Sequence, residues 1–490
     1  MYKLLLILKY LRKRRIAWVS LVAVMLCTAM VLVVISVMGG WLRMFRASFH
    51  GLSGDVIVSG KSLAGFPYYQ EMIDQIGKLP EVDAAMPTIR TYGLINIDNQ
   101  IREGVQVIAF PEGDLGKVNN FDQSLWRQYQ KPRQQLLEEA NRPGLSAEER
   151  RRLREKADHP MNPSFDLLPN VPYEEMRGPV SKNWPGIIVG AGLVGMGKDK
   201  EGKVQEIPFL YDHWAYLTLL GVSADQTRID VQQAQTVAFW IVDASRTQIW
   251  QYDSNTVYVP FKVAQRYLKM DEVRDENGNV EEPARTSDIQ VKVKAGVDLQ
   301  KAKVAIADVV QKVRTLHQIP RSYPILVQTW EESQALWLDA IENEKSLVTF
   351  LFSLISIVAI FLIFCIFYMI VVEKTKDIGI IKSVGATNAG VAGIFLGYGL
   401  AIGIAGAAAG LLFGYLIVHN INYLHTELGR RLGIVIWKPE VYAFDIIPNT
   451  MNPKEVAVIV LVAIVSSLLG ALIPAWRAAR MHPVEALRWE

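Results

Sequence analysis

Four uncharged apolar runs, and where they fall, constrain this chain more than anything else in it. They are Ile16 to Met38, Leu347 to Val372, Ala389 to Val418 and Val456 to Trp476, and none contains Asp, Glu, Lys, Arg or His. A helix needs ~20 apolar residues to cross a bilayer, and each run reaches that length. One run opens the chain, three crowd into its last third, and a long, mostly polar stretch separates them. The expected fold class is therefore membrane α-helical, with four transmembrane helices in a 1+3 layout and a large inserted α+β extracytoplasmic domain.

Charge orients this layout. Lys3, Lys9, Arg12, Lys13, Arg14 and Arg15 precede the first run with no acidic residue among them, and Arg477, Arg480 and Arg488 follow the last. Basic flanks stay on the cytoplasmic side, so both ends are expected inside. The first run is longer than the ~7–15-residue core of a signal peptide and lacks a small-residue cleavage site after it, so an uncleaved span is expected. The net charge of +3 over 490 residues carries no polyanion-binding signal, which argues against nucleic acid as a partner. Membrane lipids are the partner the runs themselves require. Both cysteines, Cys27 and Cys365, fall inside apolar runs, so no disulfide is expected in the polar domain.

The domain plan follows. Residues 1–15 read as a cytoplasmic interfacial helix, 16–42 as the first span and 43–344 as the extracytoplasmic domain. Span two is 345–372, a short cytoplasmic helix 373–388, span three 389–418, an extracytoplasmic loop 419–454, span four 455–476 and a cytoplasmic tail 477–490. Within the domain, strand-like alternation at 55–59, 92–97, 105–110, 186–189, 236–242, 256–260 and 289–293 mixes with helical patterns at 69–79 and 298–317. Asn277-Gly278 is a hairpin signal. Residues from about 113 to 179 differ, being polar and proline-rich, and read as an insertion. A capping box at Ser146 and Glu149 opens a charged helix there.

The third run is glycine-rich at four-residue spacing. Gly393 and Gly397 form one pair, and Gly399, Gly403, Gly406, Gly410 and Gly414 continue the pattern. Small residues at that interval let helices approach closely in lipid, so these are expected to be packing positions.

Catalytic signatures are missing. Gly192 to Asp199 (GLVGMGKD) imitates a phosphate loop, but Asp stands where a Ser or Thr would hold magnesium, so the segment reads as a turn. No G-x-S-x-G or H-E-x-x-H occurs, His419 and His425 are not at helical metal spacing, and no catalytic or metal site is expected. The spans also lack the ionisable groups of proton- or ion-coupled carriers. The driving energy is expected elsewhere, and the short loop after span two offers the place. Glu373 to Asn388 mixes charges with Ile378, Ile380 and Ile381, which give it an apolar side, and Gly385 supplies a stop. It reads as an amphipathic helix suited to docking a partner.

Here the chain resembles a known family. Glu342 to Thr387 is similar to the transmembrane subunits of the lipoprotein-releasing (Lol) ABC transporter, through Val372, Glu373, Lys374, Asp377, Ile378, Ile380, Lys382, Gly385 and Ala386. Val34 to Gly40 (VISVMGG) resembles that family's S-V-M-N-G-F, with Gly39 for Asn and Trp41 for Phe. Tyr252 to Pro260, followed by Ala264 and Gln265, resembles a strand and helix of its outer domain. The ending Pro474 to Glu490 is shared with the broader MacB-like, type VII ABC permease group.

The resemblance implies a non-catalytic permease subunit in a bacterial inner membrane, with a MacB-like periplasmic domain. Its partners would be an ABC ATPase dimer and a second permease subunit, the same or paralogous. The chain itself would bind no cofactor, and ATP and Mg would act through the partner ATPase. The implied output is mechanotransmission to the periplasmic side, releasing lipoprotein cargo to a periplasmic carrier. Glu373, Lys374, Lys376, Asp377, Ile378, Ile380, Lys382, Gly385 and Ala386 would couple to the ATPase. Val34, Val37, Met38 and Trp41 with Leu347, Phe350, Leu351, Leu354 and Phe361 would line a substrate cavity. Two other outputs suit the same architecture. One is a stroke that regulates an extracytoplasmic partner such as a cell-wall hydrolase, and the other is efflux of another amphiphile. A membrane-anchored enzyme is the reading the missing signatures disfavour.

Overall fold

The computed structural model describes residues 15–97, 101–113, 115–128, 184–196, 213–222, 229–247, 249–320, 323–432 and 446–482, with isolated positions between them (136, 137, 140, 141, 150, 151, 153, 154, 163–166, 437 and 484). Residues 1–14 of the expected interfacial helix, the Ser146–Glu149 capping box, most of the insertion and the end of the tail lie outside these residues, as do Lys198 and Asp199.

In chain order the elements are α1 (Arg15–Ser53), β1 (Val56–Gly60), β2 (Phe66–Pro67), α2 (Tyr69–Ile76), β3 (Val82–Ile97), β4 (Ile101–Phe110), β5 (Gly186–Gly190), β6 (Trp214–Val222) and β7 (Ile229–Ser245). Then come α3 (Trp250–Asn255), β8 (Thr256–Pro260), α4 (Phe261–Tyr267), β9 (Val273–Arg274), β10 (Val280–Glu282), β11 (Arg285–Thr286), β12 (Asp288–Val293), α5 (Leu299–Leu316), β13 (Ile325–Thr329) and α6 (Trp330–Ser333). The chain closes with α7 (Ala335–Glu373), α8 (Thr375–Ser383), α9 (Asn388–His419), α10 (Ile421–Leu432) and α11 (Pro453–Arg480). It divides into two compact units, one of Met1–Phe45, Leu336–Trp437 and Ile446–Glu490, the other of Arg46–Ala335 and Lys438–Asp445.

The polar unit is a nine-stranded sheet in the order β13-β1-β12-β3-β4-β8-β5-β7-β6. The long β3 serves two neighbourhoods. Its first half pairs with β12, from Val82 to Thr88. Its second half pairs with β4 on one side and with β6 on the other. The β3–β6 pairing closes six strands into a ring. Along that half of β3 residues alternate, with Ile89, Ile95 and Ile97 buried and Tyr92 and Leu94 exposed, the period-2 pattern of a sheet with one dry face. The same parity from the ring strands forms one apolar cluster that includes Val107, Ile187, Leu217, Phe239 and Val257, capped by Phe261 and Ala264 of α4. The opposite parity supplies a second cluster, where Tyr258 and Trp240 pack with Phe110 and Phe121.

The other end of the sheet is covered by α2 and α5. Asp298 caps α5 by accepting the Gln300 N–H at 3.1 Å, and Ala302, Ile306, Val309, Val310 and Val313 form the buried stripe, one face of a 3.6-residue period. With Val56, Val58, Ile289 and Val291 beneath them they make a separate core. Asn277-Gly278 turns the β9–β10 ribbon, and Gly278 has φ +83°, the left-handed conformation glycine adopts without cost.

In the other unit, α1, α7, α9 and α11 are long and apolar enough to cross a membrane. Thr387 caps α9 by accepting the Gly390 N–H, and Asn452 caps α11 with Pro453 at its first position, where proline's missing N–H costs nothing. Between α9 and α11, within the segment 419–454, the short helix α10 forms. Its apolar residues Leu424, Leu428 and Leu432 are all exposed.

Candidate functional site

The helix α8 follows α7 after a single residue, Lys374, whose ammonium pairs with Asp377 in the first turn. Two sets of bonds hold α8 to its neighbours. The Thr375 hydroxyl donates back to Val372 O at 2.8 Å, on the last turn of α7. The Lys382 ammonium donates to Ala479 O and Met481 O, both at 2.7 Å. Those carbonyls lie at the C-terminal end of α11, where backbone acceptors lack helical partners and the dipole favours a cation. Past the helix, Gly385 takes φ +102° and turns the chain toward α9.

The three isoleucines of α8 do not share a side. Ile378 is buried at 3% and joins the core of the bundle, and Ile381 is half-buried, whereas Ile380 is 53% exposed. The reason is geometric: at ~100° per residue, positions 378 and 381 point the same way and 380 points opposite. Val384, four residues after Ile380, is 84% exposed. Glu373, Lys376 and Gly385 are exposed around this face, with Ala386 half-buried.

The glycines of α9 sit against two different helices. A Cβ on Gly399 would lie 2.6 Å from Ala471 Cβ, and one on Gly403 3.0 Å from Ser467 Cβ, both on α11. On Gly406 it would meet Val24 at 2.8 Å, on Gly410 the Met25 carbonyl oxygen at 2.7 Å, and on Gly414 Leu32 at 2.7 Å, all on α1. The Ser467 hydroxyl donates to Gly399 O at 2.8 Å across the first of these seams. Gly393 is exposed and Gly397 half-buried, so that pair makes no such approach.

A cavity of about 400 Å³ lies among α1, α7 and α11, with Val31, Ile35, Phe352, Ile360, Ile459 and Val462 in its walls. None of the nine residues named above for a substrate cavity lines it. Leu347, Phe350, Leu351, Leu354 and Phe361 lie on another face of α7, 49–65% exposed, while Val34, Val37, Met38 and Trp41 of α1 are half-buried. The helix α7 is apolar all round, so sequence alone does not distinguish its faces.

In the polar unit, Gly192 to Met196 form a turn after β5, held by the Leu193 N–H donating to Asp253 O at 2.9 Å. Ala264 and Gln265 are buried on α4, and the Gln265 amide donates to Arg285 O at 3.0 Å. One buried titratable group there is Asp243. Its carboxylate accepts the N–H groups of Arg127 and Gln128 at 2.9 Å and of Ala244 at 2.7 Å. Burial nevertheless pushes its pKa up to about 6. Asp243 stands at a bulge, beside the register shift between β5 and β7, and pins the 125–128 segment to the ring. Among the described residues no group of His, Cys, Asp or Glu is arranged to hold a metal.

Residues 349–483 match the family of the FtsX-like permease C-terminal region. The chain is 34% identical over 167 residues to the lipoprotein-releasing system transmembrane protein LolC of Xylella fastidiosa, covering 34% of this chain and 40% of that protein. It is 32% identical over 166 residues to LolC of Neisseria meningitidis, and 31% identical over 119 residues to LolE of Haemophilus influenzae, covering 24% of this chain and 29% of that protein. The match thus spans at most about two fifths of these relatives' length. Among solved structures, the periplasmic region of MacB from Actinobacillus actinomycetemcomitans aligns over 60% of this chain and 94% of that one, at 10% identity and a TM-score of 0.27, too low to bear on the fold. Four helices of spanning length, three of them running through the matched segment, identify a multi-pass membrane protein whose residues 349–483 match the FtsX-like permease C-terminal family.

Proposed function

We propose that this chain is the non-catalytic membrane subunit of an ATP-driven ABC complex in a bacterial inner membrane, and that it draws lipoproteins from the outer leaflet for transfer to a periplasmic carrier. The observation that carries the first half is the construction of α8. Thr375 and Lys382 fix it to the ends of α7 and α11, Ile378 anchors it in the bundle, and Ile380 and Val384 stay bare on the far side. A short helix fixed at several points and apolar outward transmits force from whatever docks on it. The basic N-terminal flank puts this helix on the cytoplasmic side, where a separate ATPase would bind ATP and Mg. Glu373, Lys374, Lys376 and Asp377 supply the polar rim of that docking face, and Gly385 with Ala386 the turn into α9.

The cargo half rests on the similarity to proteins named for lipoprotein release. The outward face of α7, from Leu347 to Phe361, is apolar and uncovered by the described residues of its own unit, which suits both a second permease subunit and a lipid path. The test is co-purification of the full chain with its cognate ATPase in detergent, with lipidated species identified by mass spectrometry. Ile380→Glu with Val384→Glu should cost at least about tenfold in ATPase recovery, the equivalent of ~1.4 kcal/mol, with the fold retained. Recovery of ATPase with triacylated lipoprotein supports the whole reading. ATPase with a cell-wall hydrolase and no lipoprotein would overturn the cargo half in favour of regulation, and undiminished ATPase in the double variant would overturn the docking half.

A further inference from the structure

The cavity among α1, α7 and α11 has a polar end. Its walls follow helical stripes: Val24, Thr28, Val31 and Ile35 on α1, with matching rows on α7 and α11. One turn beyond each row, on the side remote from the basic N-terminus, stand Gly39, Lys345 and Glu455, since residues four apart stack on one face. These three meet. The Lys345 ammonium lies 3.3 Å from Glu455 Oε1, and a Cβ on Gly39 would lie 3.2 Å from Glu455 Oε2. Arg43 is beside them, its guanidinium donating to Thr450 O and Oγ1 at 2.9 and 2.8 Å.

Two properties define what fits. Inside, the slot offers little polarity. The hydroxyls of Thr28, Thr349 and Ser353 donate to carbonyls of their own helices, Val24 O, Lys345 O and Thr349 O. The rows cover about 16 Å along α1 at 1.5 Å per residue, close to the ~15 Å depth of one leaflet's hydrocarbon. Val458, Val462 and Ile357 line the slot yet are 47–59% exposed, while Thr28, Phe352, Ile363 and Ile459 are buried in its floor. It is therefore an open-sided groove, one chain deep, in helices of membrane-spanning character. At the polar end, Glu455 Oε2 is buried and finds no hydrogen-bond donor among the described residues, an acceptor that native structures rarely leave unused. An occupant should bring an acyl chain, an anion for the cations Lys345 and Arg43, and an N–H donor for Glu455.

We propose that this groove is a binding site for one acyl chain of an amine-bearing phospholipid of the phosphatidylethanolamine type. Its phosphate lies at Lys345 and Arg43, and its ammonium donates to Glu455. The site requires only that the helices span a bilayer, so its failure leaves the ATP-coupled reading standing.

The full chain in detergent, titrated with phosphatidylethanolamine and phosphatidylglycerol of identical chains and read by native mass spectrometry, tests the assignment. The amine lipid should be retained about tenfold better, the worth of one charge-assisted hydrogen bond, and Glu455→Gln should abolish that preference. A phosphatidylethanolamine with a diazirine on its chain, used in nanodiscs, guards against misfolded variants. It should label the buried floor residues Phe352 and Ile459, and Ser356→Phe with Ala463→Phe should remove that labelling. Labels confined to outward residues such as Phe350, Leu461 and Leu472 would overturn the site. Equal retention of both lipids would overturn the headgroup assignment. Displacement of the probe by an equimolar synthetic triacylated lipopeptide would show that the groove holds cargo rather than phospholipid.

Discussion

The two units hold their elements by opposite means. In the membrane unit the closest approaches are made where side chains are missing: Gly399 and Gly403 against α11, and Gly406, Gly410 and Gly414 against α1. In the polar unit the irregular points are held by polar groups taken inside and given partners, as Asp243 is by three backbone N–H donors. The contrast follows from solvent. Lipid supplies no hydrophobic force between helices, so backbone proximity and dispersion hold them together. Water supplies that force in the β unit, where a buried carboxylate bonded on several sides settles register at a bulge.

Gly410→Leu gives the largest effect by which this contrast can be broken. Its new side chain would start 2.7 Å from the Met25 carbonyl oxygen and from Thr28 Cβ, and a backbone atom on a packed helix has little room to yield. Overpacking costs ~1–3 kcal/mol and occasionally more, and the upper end is expected here. Loss of the monodisperse full-length protein on size exclusion, or a fall of many degrees in detergent melting, is the readout. An unchanged melt would mean that α9 and α1 do not pack as described.

The Asp243 carboxyl sharpens the other half. Its pKa is raised to about 6 from 3.8, so between those values the folded state binds more protons than the unfolded. Stability then falls as pH rises from about 4 to about 6, by roughly 3 kcal/mol at the full shift. Asp243→Asn should flatten that limb of the stability–pH curve, followed by chemical unfolding of the full chain. If the slope persists unchanged, the limb belongs to other carboxylates. Ser467→Ala is a smaller cut. It removes the hydroxyl that bonds Gly399 O, and hydrogen bonds between membrane helices are worth ~0.6 kcal/mol on average, a degree or two in melting.

What the amino-acid order revealed tracks the same contrast. Ile289 to Val293 and Thr256 to Pro260 were legible as strands, and Asp298 to His317 as a helix, because burial on one side imposes a period. The glycines of α9 were legible because their spacing is itself the signal, although which helix each one faces was not. On α8 the run Ile378-Gly-Ile-Ile looked like one apolar side, and only the helical angle separates Ile380 from its neighbours. The groove was invisible: α7 is apolar on every face, and Lys345 and Glu455 lie 110 residues apart in sequence. Nothing local to either residue announces the other.

The smallest expected effect is the most discriminating. Leu354→Ala and Phe350→Ala change residues of α7 that are 53% and 65% exposed. Removing an exposed side chain leaves no cavity, so the purified single subunit should melt within ~0.5 kcal/mol of wild type. The pair is informative because Phe352, two residues from either, is 8% exposed and faces the groove. Phe352→Ala should cost ~3–5 kcal/mol if that site behaves as a packed core, and less in proportion to how far lipid refills it. If Leu354→Ala and Phe350→Ala are silent alone but weaken recovery of the proposed complex, the outward face of α7 is an assembly surface. Silence in both settings, with Phe352→Ala damaging, would leave that face to lipid and put the functional surface of α7 on the groove side.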